Sequence, residues 1–277
     1  MKLICSCAWW GLDHLGLEGM LKKIKEAGFD AVEIGIPQKK ADQEALKSCL
    51  DIYKLKLIVH HYDLESRPLK EYLSFYKASL EKAAAFQPLL INSHTGRDFW
   101  SFEEGVRTFE LAEEVSQKHD ITIAHETHRG RILYSAPVSR QYMEALPFLK
   151  INADFSHWVN VSESLMEEQE DTMELAIKRT EHTHARVGFA EGPQVPDPRA
   201  PEWKEELDIF TQWWIKILKR FIAEDRDFMT ITPEFGPAPY TIREPFTLKP
   251  LSDPWEINVY MKGYLKEQFE SFFNNKS

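Results

Sequence analysis

Residues 121–131 read ITIAHETHRGR: a short run, Ile121, Thr122 and Ile123, that ends in His125, Glu126, His128, Arg129 and Arg131. β-Branched residues suit an extended chain. A strand that stops in ionisable groups is common in any fold, so the stretch gains meaning only by recurring. INSHTG at 91–96, INADFSHW at 151–158, EHTHARVG at 181–188 and TITPEFG at 230–236 share its build. Five strand-like runs, with helical segments between them, deliver His, Asp or Glu at their C-terminal ends. A barrel of parallel strands points every C-terminal end at one face and so collects a site there.

Working outward, strands are predicted over 2–7, 29–36, 55–60, 89–92, 121–126, 150–154, 181–187 and 228–233. Helical spacing fills the gaps. Leu17, Met20, Leu21, Ile24 and Ala27 form one stripe, with Gly28 where a C-cap tolerates positive φ. Further helices are expected over 42–54, from Pro68 onward, over the stripe Phe102 to Val115, briefly around Tyr142, within 163–179, over 204–223 and over 258–273. The connection 188–203 carries four prolines, and a long loop of this kind reads as a lid or binding loop. Strand–helix alternation without a linker predicts an α/β fold, a (β/α)8 TIM barrel formed by one domain over 1–277. An open doubly wound sheet would favour a GxGxxG after the first strand, and none is present.

The 277 residues carry a formal charge of -10, which opposes a surface that tracks phosphates. No nucleic-acid partner is expected. Cys5, Cys7 and Cys49 have neither CxxC nor paired spacing, so they read as reduced thiols of a cytoplasmic protein. The apolar N-terminal run is too short to span a bilayer and is better explained as a first barrel strand than as a signal peptide. No membrane partner is expected, and the possibility of a homo-oligomer is left open.

Strand alternation places residues two apart on one face. Thr122, Ala124 and Glu126 align, as do Thr230, Thr232 and Glu234, and as do His182 and His184. Two carboxylates and an imidazole then converge at a polar upper layer of the lumen. Asp154 and His157 form a D-x-x-H; its plainer reading is an Asp that caps the following turn, with the His bonded to it. Oxygen-rich ligands with one imidazole suit one divalent metal ion, Mn²⁺, Mg²⁺ or Co²⁺, or Zn²⁺ where His dominates.

Glu126, Asp154-x-x-His157, His184 and Glu234, at the ends of four consecutive strands, together with LKKIKEAGFDAVEIG at 21–35, resemble the xylose-isomerase-like TIM-barrel superfamily. That superfamily holds sugar isomerases, ketose 3-epimerases, inosose dehydratases and metal-dependent abasic-site endonucleases. The resemblance implies metal ligation by Glu126, Asp154, His184 and Glu234, with His157 on the substrate and His182 the competitor of His184. Such epimerases carry an Arg after the seventh-strand His; Arg186 comes too early to be equated with it, and is taken as a substrate contact. His60 or His61, and His94, match histidines that the endonucleases add. The D-x-H pair that completes a three-metal site has no counterpart in GFAEGPQVPDP.

The resulting expectation is a metal-dependent isomerase or epimerase of a small, unphosphorylated keto sugar or polyol derivative. Glu126 and Glu234 exchange protons through an enediolate and His157 hydrogen-bonds its oxygen. His60, His94, Arg186, Trp9 and Trp158 are the candidate substrate contacts; aromatic residues near strand ends, which also include Trp10, Phe99 and Trp100, can stack on a sugar or pack between helix and barrel. A lyase or dehydratase acting on an oxidised sugar or inosose, and a sugar-binding barrel without turnover, are the alternatives. An unphosphorylated substrate is expected because prolines remove amide donors from the loops after strands seven and eight.

Overall fold

A computed structural model describes residues 1–63, 65 and 67–273 of the chain. Among them, eight parallel strands close into a barrel in sequence order, β1 (Lys2–Ala8), β2 (Ala31–Ile34), β3 (Lys56–His61), β4 (Ile91–Ser93), β5 (Ile123–Glu126), β6 (Ile151–Ala153), β7 (Thr180–His184) and β8 (Phe228–Thr232). Closure is made by β8 against β1, with Ile4 opposite Thr230 and Cys5 opposite Ile231. The fold is the (β/α)8 barrel that strand–helix alternation predicts.

Helices α1 (Gly16–Glu26), α2 (Lys40–Tyr53), α3 (Leu69–Ala84), α4 (Phe102–His119), α5 (Ala136–Ala145), α6 (Phe155–Ser162), α7 (Glu170–Arg179), α8 (Lys204–Ala223) and α9 (Pro254–Phe273) connect and surround the strands. Gly28 after α1 has φ of 76°, the left-handed conformation that a residue without Cβ adopts at least cost. Ser101 and Glu104 form a reciprocal capping box at the start of α4, which satisfies two of the amides that a helix start leaves free.

The period of two sorts the strand residues. One set, among them Val32, Val59, Ile91, Ile123 and Ile231, joins the main core. The other set faces the lumen, where Ile58, Leu90 and Ala124 make a small apolar cluster of their own. Above that plug the lumen turns polar, with Ser6, Glu33, Asn92, Asn152, His182, Thr230 and Thr232 all buried. Apolar packing outside and hydrogen bonding inside thus come from one alternating pattern.

Two local expectations change. Directly after β6 the chain forms α6, absent from the sequence reading, because Asp154 accepts a hydrogen bond from the Ser156 amide and starts a helix there. The final helix begins at Pro254 rather than 258, and the Asp253 side chain accepts from the Trp255 amide at 2.8 Å; a proline fits a first turn, whose N–H has no helical partner.

Candidate active site

The polar layer is organised around Glu33, which lies on β2 and is 1% exposed. Its Oε1 accepts from Asn92 Nδ2 at 2.8 Å and from His184 Nε2 at 2.9 Å. Its Oε2 accepts from the Thr232 hydroxyl at 2.8 Å and His182 Nε2 at 3.2 Å. Burial alone would raise the Glu33 pKa, but His184 and His182 hold it well below the usual carboxylate range. The same contact fixes His184. With the Nε2 proton donated to Glu33, Nδ1 turns to the rim, 2.9 Å from Glu234 Oε2 and 3.5 Å from Glu126 Oε2. His182 has no such free side, since Nδ1 meets the Thr230 hydroxyl at 2.7 Å.

Glu126, Asp154, His184 and Glu234 each offer a ligand atom within 4.8 Å of the others. Three of those groups hold buried polar atoms without a hydrogen-bond partner among the described residues: Glu126 Oε1, His184 Nδ1 and Glu234 Oε2. Glu234 Oε2 lies 2.9 Å from His184 Nδ1 and 3.3 Å from Arg186 Nη2, ion-pair contacts without a hydrogen bond. Orphaned buried polar atoms are costly and rare in native proteins, and a cation satisfies carboxylate oxygen and imidazole nitrogen at once. Burial disfavours charge here, yet Glu234, Glu33 and Glu126 together raise His184 well above its ordinary pKa. Against burial, His184 keeps Glu126 low, and His184 with Arg186 does so for Glu234. The residues fit a divalent ion.

Asp154 and Arg186 form the other half of the rim. Arg186 Nη2 donates to Asp154 Oδ2 and to His157 Nε2, at 2.9 Å for the latter. Burial opposes the Arg186 charge, but Asp154 and Glu234 outweigh it and keep the guanidinium protonated. The Asp154 carboxyl is pushed up to about 6 by burial, with Arg186 working in the opposite sense. The guanidinium lies over the Tyr240 ring, 4.6 Å from its centroid.

A cavity of about 310 Å³ opens over this rim. Trp9, Trp10, Tyr62 and Tyr240 supply aromatic walls; His60, His94 and His128 line one side; Glu126, Glu234 and Arg186 line the polar end. His94 Nε2 lies 2.8 Å from Glu126 Oε2. The rings of His60, His94, His128 and His157 follow one another at 4.7, 4.4 and 4.0 Å between centroids. Burial lowers the pKa of His94, His128 and His157 well below the ordinary value, so these imidazoles are neutral hydrogen-bonding groups.

Trp9, His60, His94 and Arg186 therefore border the cavity, and His157 touches it through Arg186. Trp158 requires correction as a substrate contact. It is fully buried, packs on Phe155, and donates its indole N–H to the Leu133 carbonyl at 2.9 Å. The helix that starts at Asp154 carries it away from the mouth. Glu33, Asn92 and Tyr240 were not assigned to the site from sequence. Glu33 ends a strand-like run as the others do, so a signal existed for it; Tyr240 lies in a loop with none.

The closed parallel barrel gathers its carboxylates and imidazoles at the C-terminal rim, the face on which TIM barrels build their sites. The chain belongs to the xylose isomerase-like TIM barrel family, which it matches over residues 21–209, more than half its length. It superposes on a D-tagatose 3-epimerase-like protein with a TM-score of 0.64 at 16% identity, covering 100% of both chains. A 3-keto-D-glucoside 4-epimerase from E. coli gives 0.63 at 13%, covering 96% of this chain and 100% of that one. Endonuclease IV from Thermus thermophilus gives 0.58 at 12%, covering 98% and 100%. At such identities the likeness establishes the fold. No match is found among curated proteins.

Proposed function

We propose that the protein is a metal-dependent sugar epimerase or isomerase that acts on a small, unphosphorylated keto sugar. The observation that carries this reading is the convergence of Glu126, His184 and Glu234, each with a buried ligand atom that makes no hydrogen bond, beneath the polar end of the cavity that Glu126 and Glu234 line. Sugar epimerases among the structural neighbours support it. The cavity volume is near the lower end of the range for ligand pockets, about 300–1,000 Å³, which suits a monosaccharide-sized substrate. The aromatic walls offer apolar faces to C–H surfaces of a sugar.

The ion would be held from the group Glu126, Asp154, His184 and Glu234. When bound it supplies Lewis acidity to a carbonyl oxygen and its neighbouring hydroxyl, lowering the cost of the charge that develops on them. The chain supplies the rest. Glu126 and Glu234 both approach His184 Nδ1, at 3.5 and 2.9 Å, and epimerisation needs one carboxylate to remove the proton α to the carbonyl and the other to return a proton. Arg186, to which neutral His157 is bonded from behind, presents a fixed guanidinium at the polar end of the cavity, and the aromatic walls exclude water from the enediolate. Gln194 ties the loop after β7 to the loop after β8, accepting from the Gly236 amide at 2.8 Å and donating to its carbonyl at 3.2 Å. That cross-link favours a stiff cover over a flexible one.

The test is incubation of the manganese-loaded protein with a panel of ketoses in D₂O, followed by proton NMR. The expected result is epimer formation with deuterium entering a carbon next to the carbonyl. That exchange should be lost in Glu126→Gln and Glu234→Gln. Absence of turnover and exchange across the panel and the corresponding phosphates would refute the reading; turnover favouring a phosphate tenfold or more would refute only the unphosphorylated substrate.

A further inference from the structure

Glu234 stands two residues beyond the end of β8, on chain that the barrel no longer pairs. The β8 ladders end at Ile231 against β1 and at Thr232 against β7, and Pro233 has no N–H to offer. Among the described residues no main-chain group bonds to the main chain of residues 233–236. Buried main chain of this kind needs partners from elsewhere.

Two side-chain amides supply them. Asn258, on α9, accepts from the Phe235 N–H at 2.8 Å and donates to the Phe235 carbonyl at 2.9 Å. Gln194, in the connection after β7, treats the next residue the same way, accepting from the Gly236 N–H at 2.8 Å and donating to its carbonyl at 3.2 Å. A carboxamide has one donor side and one acceptor side, so each stands in for the neighbouring strand that residues 235 and 236 lack. Asn258 comes from 23 residues later in the chain and Gln194 from 42 residues earlier. Both are buried, and neither lines the main cavity. Trp10 closes another side of the segment, since a Cβ on Gly236 would run into its ring.

We infer that Asn258 and Gln194 are positioning residues for Glu234: together they fix the main chain directly after it and so hold its carboxylate at the rim, 2.9 Å from His184 Nδ1. This rests on the metal-dependent reading above. The hydrogen bonds of the two amides go to Phe235, Gly236 and Thr241 and to no group of the rim, so their effect passes through the main chain. A metal site needs its ligands held to within a fraction of an ångström by such supports. Gln194 belongs to the Pro-rich connection 188–203, so that loop and the Glu234 carboxylate share one anchor.

The test is manganese affinity by calorimetry together with the cobalt(II) visible spectrum, measured on the full chain as wild type, Asn258→Ala, Gln194→Ala and Ile257→Val. Alanine leaves room for water at the freed N–H and carbonyl groups, so the fold survives while the fixed geometry does not. Ile257→Val lowers stability from the same helix without removing either amide and serves as the control. The expected result is a manganese Kd about tenfold weaker in each alanine variant, within the range for groups that orient metal ligands, with an altered cobalt spectrum. Ile257→Val should match the wild type in both. A folded alanine variant with the wild-type spectrum and a Kd within twofold overturns the inference. An equal change in Ile257→Val does so too, as does failure of both alanine variants to fold, because the amides would then support the fold at large. Where one alanine variant does not fold, the other decides. A folded wild type that binds neither cobalt nor manganese removes the metal reading itself, a failure distinct from variants that bind as the wild type does.

Discussion

Replacing Glu33 by glutamine removes one charge from beneath the rim and changes little else in shape. Four donors converge on this carboxylate, from Asn92, His184, Thr232 and His182. An amide oxygen in the place of Oε1 keeps His184 and Asn92. The amide NH₂ then meets groups that adapt, since the Thr232 hydroxyl can turn and the His182 imidazole can exchange tautomers. What disappears is charge assistance to His184, a difference of about 1–2 kcal/mol between charged and neutral hydrogen bonds. Glu33 also favours a competing proton at His184 Nδ1, but a doubly charged ion gains more from the carboxylate than a proton does. The expected outcome is metal affinity about tenfold weaker, or roughly 1.4 kcal/mol, within the range for groups that orient a metal-ligating histidine. Manganese titration by calorimetry measures it, with circular dichroism to verify the fold. A Kd within twofold of the wild type would refute the argument that Glu33 orients His184.

Gly188→Ala is expected to cost about 1–3 kcal/mol, because its Cβ would stand 2.9 Å from the Ser156 carbonyl oxygen and 2.9 Å from the Ser156 Cβ; an unchanged urea midpoint would show that the loop after β7 and α6 separate freely there. Trp158→Phe should lose about 1–3 kcal/mol with the hydrogen bond to Leu133 while leaving KM for the substrate within twofold, and a large KM change at full stability would return Trp158 to the site. Buried His125 and His61 have pKa values lowered to about 3 and about 4, mainly by burial. Stability is therefore fully present above an unfolded pKa of about 6.5 and falls as pH drops below it, by up to about 1.4 kcal/mol per pH unit for each histidine until the folded pKa is reached. Denaturant titrations at pH 7 and pH 4.5 should show that loss, reduced when His125 is replaced by a neutral residue that folds. With a formal charge of -10, the protein is expected not to nick an abasic duplex at physiological salt, although His60, His94 and Glu126 converge; robust metal-dependent nicking would overturn this.

The barrel could be read along the chain because its signals are local. Runs such as ITIAHE carry a period of two, their ends carry acids and imidazoles, and parallel strands send those ends to one face. Helix α8, expected over 204–223 and observed as Lys204–Ala223, shows the same legibility in its apolar stripe. Glu126, Glu234 and the pair His182 and His184 fall on one rim for this reason, whereas the set Glu126, Asp154, His184 and Glu234, whose ligand atoms lie within 4.8 Å of one another, was implied by the family resemblance. Which atoms face which depends instead on closure. Glu33 reaches His184 across 151 residues of chain, and nothing near either residue announces the other. Arg186 looked misplaced beside its family counterpart, and only the lumen shows that its position above His184 brings it to Asp154. Trp158 follows a strand end just as Trp9 does, yet one packs in the core and the other borders the cavity. An aromatic side chain has the same local signal in either place. The difference was decided by a helix that begins at Asp154 and rotates Trp158 behind the barrel wall.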